Sequence, residues 1–223
     1  ARELALGAAT TVGLALATLP FGLALGLAAA LAKDSKSKWL RAAGEAYTTV
    51  FRGLPELLTL LLIYYGLQIL AQKLADASGL PIAVDISPFA AGVIALGLVF
   101  GAYSSEVLLA AIRAVERGQI EAARSFGMTP CLVFWRICAP QALRIALPGL
   151  GNNWLVLLKD TSLVSAIALS DLLRVTSVAV ERTRRPFEFY AAACVIYLLM
   201  TALSTLAIAR AERAAGRGWR QSA

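Results

Sequence analysis

Three ionisable side chains interrupt two stretches of sequence that are otherwise apolar. Glu106 lies within residues 89–114, and the adjacent Lys159 and Asp160 lie within residues 150–169. A charge at membrane depth is costly, so such residues mark substrate paths, ion paths or reactive sites. These two carboxylates and one amine could bind a charged solute, or they could serve an enzyme that works inside the membrane.

Neutral polar side chains accompany these ionisable groups. Their amide and hydroxyl groups can hydrogen-bond the head groups of an α-amino acid, while a free carboxylate meets a basic side chain. We expect Arg52 and Glu56, at i and i+4, to pair with each other. Alternatively, both membrane carboxylates pair with cations of neighbouring helices. The remaining candidates for the substrate path are Tyr103, Asn152, Asn153, Thr161 and Ser162.

The sequence lacks the motifs of most catalytic centres. It has no histidine, no Gly-x-Ser-x-Gly elbow and no paired carboxylates, which weighs against the intramembrane enzyme. No phosphate-binding loop is present, so this chain cannot bind ATP phosphates itself. The spacing of the three cysteines does not fit a metal site, so we interpret them as packing residues: Cys131, Cys138 and Cys194. We assign the chain no catalytic residue, metal or cofactor.

The composition is that of a protein that crosses a membrane several times. Of its 223 residues 59% are hydrophobic, and the mean hydropathy is +0.71, well above the values of soluble domains. A helix needs about 20 apolar residues to cross the bilayer core. We expect one all-α membrane domain over residues 1–223, with five spans at residues 5–32, 56–72, 89–114, 146–169 and 189–209.

Basic residues fall mainly on one side of the predicted spans. The net charge of +7 is explained by loops that follow the positive-inside rule, and it does not require nucleic acid. This arrangement places fourteen Lys and Arg residues in cytoplasmic segments against six outside. The N-terminus is then external and the C-terminus cytoplasmic. One basic cluster, Arg182-Thr183-Arg184-Arg185, falls in an external return loop at residues 171–188, where it could meet an acidic protein.

A short polar segment, Glu121-Ala122-Ala123-Arg124-Ser125-Phe126-Gly127, separates the third and fourth spans. Gly127 stands where a helix can end in a left-handed residue, and Thr129-Pro130 is typical of the start of the next helix. This short helix could dock into a groove of another protein, or it could be a simple turn between spans. Its apolar ridge consists of Ile120, Ala123 and Phe126.

This segment resembles the EAA loop of ATP-binding-cassette importer permeases. The match consists of Glu121-Ala122-Ala123, Gly127, Ile137 and Pro140, while Ala139 stands where the family has leucine. Further motifs resemble the polar amino acid branch, and most of all the Q-type subunit of histidine, lysine/arginine/ornithine and opine permeases. These motifs are Phe51-Arg52-Gly53-Leu54-Pro55, Tyr64-Tyr65-Gly66, Gly149-Leu150-Gly151-Asn152-Asn153-Trp154 and Lys159-Asp160-Thr161-Ser162-Leu163.

The resemblance implies that residues 115–140 carry a cytoplasmic coupling helix, which sits in a cleft of a separate ATPase subunit. The expected partners are two ATPase copies that hold ATP and magnesium, a second permease chain, an external amino-acid-binding protein and membrane lipid. The second permease is an M-type chain or a copy of this one. The implied location is a bacterial inner membrane, and the implied substrates are arginine, lysine, ornithine, histidine or opines. The implied coupling residues are Glu121, Ala122, Ala123, Gly127, Ile137 and Pro140.

An ion-coupled secondary transporter remains an alternative. Five spans are few for that class, and no internal repeat is visible in the sequence. ATP-dependent uptake in vesicles that contain the partner proteins separates the importer from this alternative and from the enzyme.

Overall fold

The computed structural model of the chain describes residues 2–77 and 85–216. All regular structure in these ranges is helical, which confirms the all-α prediction. Two of the helical segments are not α-helical: a π-helical turn, Phe134–Cys138, and a 3-10 helix, Thr161–Ile167. The α-helices are α1 (Arg2–Asp34), α2 (Lys38–Gly53), α3 (Glu56–Ala77), α4 (Pro88–Arg113), α5 (Arg117–Ser125), α6 (Pro130–Val133), α7 (Ala139–Asp160), α8 (Leu172–Thr183) and α9 (Pro186–Ala215).

Four of these helices, α1, α3, α4 and α9, are long and apolar enough to cross a membrane. A fifth crossing is made if the helical segment Pro130–Ile167 and α8, bent by 51°, count as one span. This agrees with the prediction of about five spans. The helical segment starts well before the predicted span at residues 146–169. It begins at Pro130 because the Thr129 hydroxyl accepts the Leu132 amide at 3.4 Å and so caps the first turn.

Helices α1 and α4 pack closely at the centre of the bundle. Gly22 and Gly26 of α1 face Gly101 of α4, where no side chain fits between the two backbones. A Cβ added at Gly26 would lie 3.0 Å from the Gly101 carbonyl oxygen, and one at Gly101 would lie 3.0 Å from that of Gly22. Such small residues permit the close helix approach that van der Waals packing inside a membrane requires.

Residues 171–188 are not the return loop that was predicted, because they contain helix α8. Asp171 is its N-cap, and the carboxylate accepts two backbone amides of the first turn at 3.0 and 3.1 Å. Leu172 and Thr176, four residues apart, are both buried. The Leu172 amide donates to the Thr11 hydroxyl of α1 at 3.2 Å. The basic cluster at the end of this segment favoured a loop, whereas Asp171 caps a helix that has one buried face.

Candidate functional site

A cavity of about 260 Å³ lies between the start of α3, the middle of α4 and the second half of α7. Its apolar walls come from α4 and α7. Four of the eight predicted substrate-path residues meet here, although they come from two separate helices. The polar lining consists of Glu56, Tyr103, Asn152, Asn153 and Asp160.

The cavity has an acidic lining. Glu56 is the first residue of α3 and Asp160 is the last residue of α7, where the α-helix tightens into the 3-10 helix. No basic side chain lines the cavity, and neither carboxylate has an ion-pair partner among the residues that the structure describes. The Asn153 amide donates to the Ser104 hydroxyl at 3.4 Å, which orients it on the wall. A solute with a cationic group would complete this arrangement.

Sequence reasoning missed Glu56 because it expected a local pair with Arg52. That pair does not form: α2 ends at Gly53, Leu54 is extended, and α3 starts at Glu56. The i and i+4 contact needs a continuous helix, and this break removes it. The Gly-Leu-Pro sequence after Arg52 was the available signal, because it predicts a helix boundary. Glu56 is therefore left to face the cavity.

The third membrane carboxylate, Glu106, has a different environment. Its Oε1 accepts Lys33 Nζ at 2.6 Å and Arg52 Nη1 at 2.9 Å. Lys33 is only 8% exposed, and its ammonium also donates to the Thr48 hydroxyl at 3.4 Å. Although it was a candidate for the substrate path, Glu106 does not line the acidic cavity. Its charge is neutralised between helices, which was the alternative for this carboxylate.

Arg52 connects this ion cluster to the wall of the cavity. Its guanidinium lies 5.4 Å from the centre of the Tyr103 ring while one of its nitrogens bonds Glu106. Tyr103 lines the cavity from α4, one turn before Glu106. A cation over an aromatic face is attracted by the ring quadrupole. The last turn of α2 thus contacts both the ion cluster and the site wall.

Helix α2 is anchored to α4 by a half-buried tyrosine. The Tyr47 hydroxyl donates to the Leu98 carbonyl oxygen at 2.7 Å. Burial raises the pKa of Tyr47 to about 12, so this hydroxyl stays protonated even above pH 10. Gly101 leaves the space for the ring, because a Cβ there would lie 2.7 Å from the Tyr47 oxygen.

The remaining substrate-path candidates do not line the cavity. Lys159 is exposed and makes no ion pair with Asp160 within the described part of the chain. Thr161 is buried, and its hydroxyl donates back to the Leu158 carbonyl oxygen at 2.8 Å. Ser162 is half-buried. Adjacent positions of one helix point in different directions, so only Asp160 of this run reaches the cavity.

The predicted polar helix is α5, and it ends as its sequence indicates. Gly127 has φ = +79°, the left-handed conformation that glycine adopts without strain. The Gly127 amide donates to the Arg124 carbonyl at 2.9 Å, and the Met128 amide donates to that of Ala123 at 3.3 Å. These two bonds form a Schellman motif. The left-handed stop and the cap at Thr129 are both confirmed.

The apolar ridge of α5 is divided between two surfaces. Ala123 is buried and Ile120 packs against the cluster between α4 and α7, whereas Phe126 is 88% exposed. Glu121 and Gly127 are exposed and lie outside the groove between α5, the π-helical turn and the start of α7. That groove, about 470 Å³, is lined by four of the predicted coupling residues, Ala122, Ala123, Ile137 and Pro140, among others.

Two side-chain contacts that the sequence did not indicate hold α5 and the helix ends next to it. Gln141 Nε2, on the segment after the π turn, donates to Gln119 Oε1 of α5 at 2.6 Å. Arg113 Nε at the end of α4 donates to Asp34 Oδ1 at the end of α1 at 3.0 Å. The end of α1, the end of α4 and helix α5 therefore lie on the same side of the bundle.

Comparisons with known proteins identify the family of this chain. Residues 22–216 match the family model for the binding-protein-dependent transport system inner membrane component. The nopaline transport system permease protein NocQ of Agrobacterium fabrum is 43% identical, over 98% of this chain and 93% of its own. The arginine ABC transporter permease protein ArtQ of Escherichia coli is 43% identical, over 96% and 95% of the two chains.

Solved structures show the same fold. The crystal structure of an amino acid ABC transporter with histidines superposes with a TM-score of 0.81 at 36% identity, over 95% of this chain and 94% of that one. The MetNI methionine ABC transporter in an inward-facing conformation gives 0.79 at 18% identity, over 96% of each chain, which is a likeness of fold alone. The chain therefore belongs to the family of binding-protein-dependent transport system inner membrane components, and it is a multi-pass transmembrane permease subunit.

Proposed function

We propose that this permease imports amino acids or opines with a cationic side chain, and that the acidic cavity is where the solute crosses. The observation that carries this proposal is the pair Glu56 and Asp160, two carboxylates at one cavity without a basic partner in the described chain. Relatives named for nopaline, for arginine and for histidine, lysine, arginine and ornithine transport support the substrate class.

The cavity suits a solute of amino acid size. Its volume, about 260 Å³, is near the lower limit of ligand pockets, about 300 Å³. Glu56 and Asp160 attract the cationic side chain, and the amides of Asn152 and Asn153 hydrogen-bond the α-amino and α-carboxylate groups. Tyr103, held by Arg52, forms part of the wall.

The energy for import comes from a partner chain in this proposal. Helix α5 docks into the cleft of an ATPase subunit, present in two copies, which binds ATP and magnesium. Residues 119–127 and the C-terminus are then cytoplasmic and the N-terminus external. A second permease chain, either of M-type or a copy of this one, completes the pathway. An external binding protein delivers the solute, and the basic cluster at residues 182–185 steers its approach.

Uptake by proteoliposomes tests the substrate class. Asp160→Asn and Glu56→Gln should each lower arginine uptake about tenfold or more, because a charge-assisted contact contributes about 1.5–3 kcal/mol. Glutamine uptake should be little changed. Glu3→Gln, which removes an exposed carboxylate of α1, is the control and should leave both solutes unaffected. Equal losses for arginine and glutamine would contradict recognition of charge.

The coupling role of α5 is tested by two matched glycine substitutions. A Cβ meets nothing within 4 Å at either Gly127 or Gly118, but only Gly127 has a positive φ. Gly127→Val should lower the ratio of transported solute to hydrolysed ATP, because a β-branched residue strains the left-handed stop. Gly118→Val should keep that ratio near the wild-type value. A normal ratio in Gly127→Val complexes, with lower stability only, would show that Gly127 merely ends the helix.

Cysteine labelling tests the orientation. In a background without the three native cysteines, Ser125→Cys should react with an impermeant thiol reagent only from the cytoplasmic side, since Ser125 is exposed on α5. Reaction from the external side would invert the topology and remove the basis for docking to an ATPase.

A further inference from the structure

Helix α2 carries an uncovered apolar edge on the outside of the bundle. Trp39 is 87% exposed and Leu40 is 53% exposed, both in the first turn. The opposite face is held tightly: Gly44 and Thr48 are buried, and a Cβ at Gly44 would lie 3.1 Å from the Ala29 carbonyl oxygen of α1. The exposed edge is therefore a fixed surface at the end of a membrane-crossing helix.

A polar cavity of about 600 Å³ opens beside this edge, between the end of α1, the start of α2 and α4. Two of its three carboxylates are already neutralised, since Asp34 pairs with Arg113 and Glu106 with Lys33 and Arg52. Its charged lining consists of Lys33, Asp34, Lys36, Arg41, Glu45, Glu106 and Arg113.

Two cations of this cavity remain without an acidic partner. Lys36 and Arg41 make no ion pair with any residue that the structure describes, and Arg41 only donates to the Ser35 carbonyl at 3.4 Å. The exposed Lys38 lies between them in sequence. Glu45 is the one carboxylate of the lining without an ion-pair partner in the described ranges. An excess of positive charge thus faces the cavity next to exposed apolar side chains.

We propose that this surface binds an anionic phospholipid, with its phosphate between Lys36 and Arg41 and its acyl chains along Trp39 and Leu40. The surface has both of the features that a lipid needs, a basic pocket and an apolar edge that continues from a membrane-crossing helix. Long basic side chains at such an end reach from the apolar region to the headgroup level. A free phosphate would use only the basic pocket and would leave the exposed indole uncovered.

Native mass spectrometry of the delipidated, assembled transporter, titrated with lipid, tests this site. Phosphatidylglycerol should bind more tightly than phosphatidylcholine with the same acyl chains. The double substitution Lys36→Gln and Arg41→Gln should weaken phosphatidylglycerol binding about thirtyfold, since each basic residue contributes about five- to sixfold. The control, Arg182→Gln with Arg184→Gln, removes the same charge elsewhere and should leave binding unchanged.

A variant with the opposite expected effect distinguishes a loss of lipid binding from misfolding. Glu45→Gln removes a carboxylate from the lining and should tighten phosphatidylglycerol binding severalfold, which damage to the fold would not produce. Equal binding of the two lipids, or wild-type binding by the double variant, would overturn the proposal. So would glycerol phosphate binding as tightly as the lipid. The outcome is independent of the substrate, because arginine uptake is not measured.

Discussion

Three carboxylates on membrane-embedded helices differ in whether they have a cationic partner. Glu106 is ion-paired, whereas Glu56 and Asp160 are not within residues 2–77 and 85–216. Glu106 accepts two cations, at 2.6 and 2.9 Å, and joins α1, α2 and α4. Glu56 and Asp160 share a cavity without a basic partner among the described residues. The difference separates a carboxylate that holds the bundle from two that are available to a solute.

The energetic consequences of this difference have opposite signs. Removing Glu106 leaves Lys33 as a buried cation without its counter-ion, which is strongly destabilising. Removing Asp160 relieves the fold of an unpaired carboxylate at membrane depth. A cationic solute would supply the missing partner in the cavity, so binding and folding respond differently to the same kind of substitution.

The largest effect is expected for Glu106→Gln. The free energy of unfolding should fall by about 3 kcal/mol, at the low end for a broken buried pair because Glu106 is itself partly exposed. This corresponds to a thermal midpoint lower by about 6–12 °C in detergent. Glu188→Gln, which breaks an exposed pair with Arg185, is the control and should shift the midpoint far less. Similar losses for both variants would remove the distinction.

Asp160→Asn should have the opposite effect on stability. The midpoint without substrate should stay the same or rise by a few degrees, corresponding to about 1 kcal/mol, because an unpaired carboxylate is removed. Saturating arginine should raise the wild-type midpoint more than that of the variant, since a ligand stabilises the fold in proportion to how tightly it binds. A marked fall in the midpoint without substrate would show that Asp160 serves packing.

Arg52→Gln should have an intermediate effect. It removes one of the two cations of Glu106 and the contact with Tyr103, but Arg52 is nearly half exposed. We therefore expect a loss of about 1 kcal/mol, measured by thermal unfolding. Arginine uptake by this variant should fall less than in Asp160→Asn, because Arg52 acts on the cavity only through Tyr103. A greater fall in uptake than in Asp160→Asn would place Arg52 in the site itself.

Tyr47→Phe should have the smallest effect, a loss of about 1 kcal/mol or less for one partly buried hydrogen bond. The pKa of Tyr47 is about 12 in the folded chain and 10.0 for an ordinary tyrosine. Its contribution to stability is therefore complete below pH 10 and is lost as the pH rises towards 12. The difference in thermal midpoint between wild type and variant should be constant up to pH 10 and shrink above it. A difference that stays constant up to pH 12 would contradict the raised pKa.

Features that depend only on residues close in sequence could be predicted. The short polar helix, the left-handed Gly127 and the cap at Thr129 follow from local backbone preferences, and the structure has all three. The helix was predicted over residues 121–127 and is observed at Arg117–Ser125, so its start was placed four residues too late. Local reasoning was wrong where it ignored a helix break, as for Arg52 and Glu56, or gave most weight to charge, as for helix α8. In both places a capping or breaking residue was present in the sequence but received too little weight.

The sequence by itself determined the helices, the number of apolar spans and the residue types that could bind a solute, because hydropathy and capping are local properties. Only the tertiary structure decided which carboxylate has which partner. Lys33 and Arg52 lie 73 and 54 residues from Glu106. They reach it because α1 and α4 pack through glycines and α2 lies across them. An ion pair requires atoms within a few ångströms, and only the packing of helices distant in sequence sets that distance.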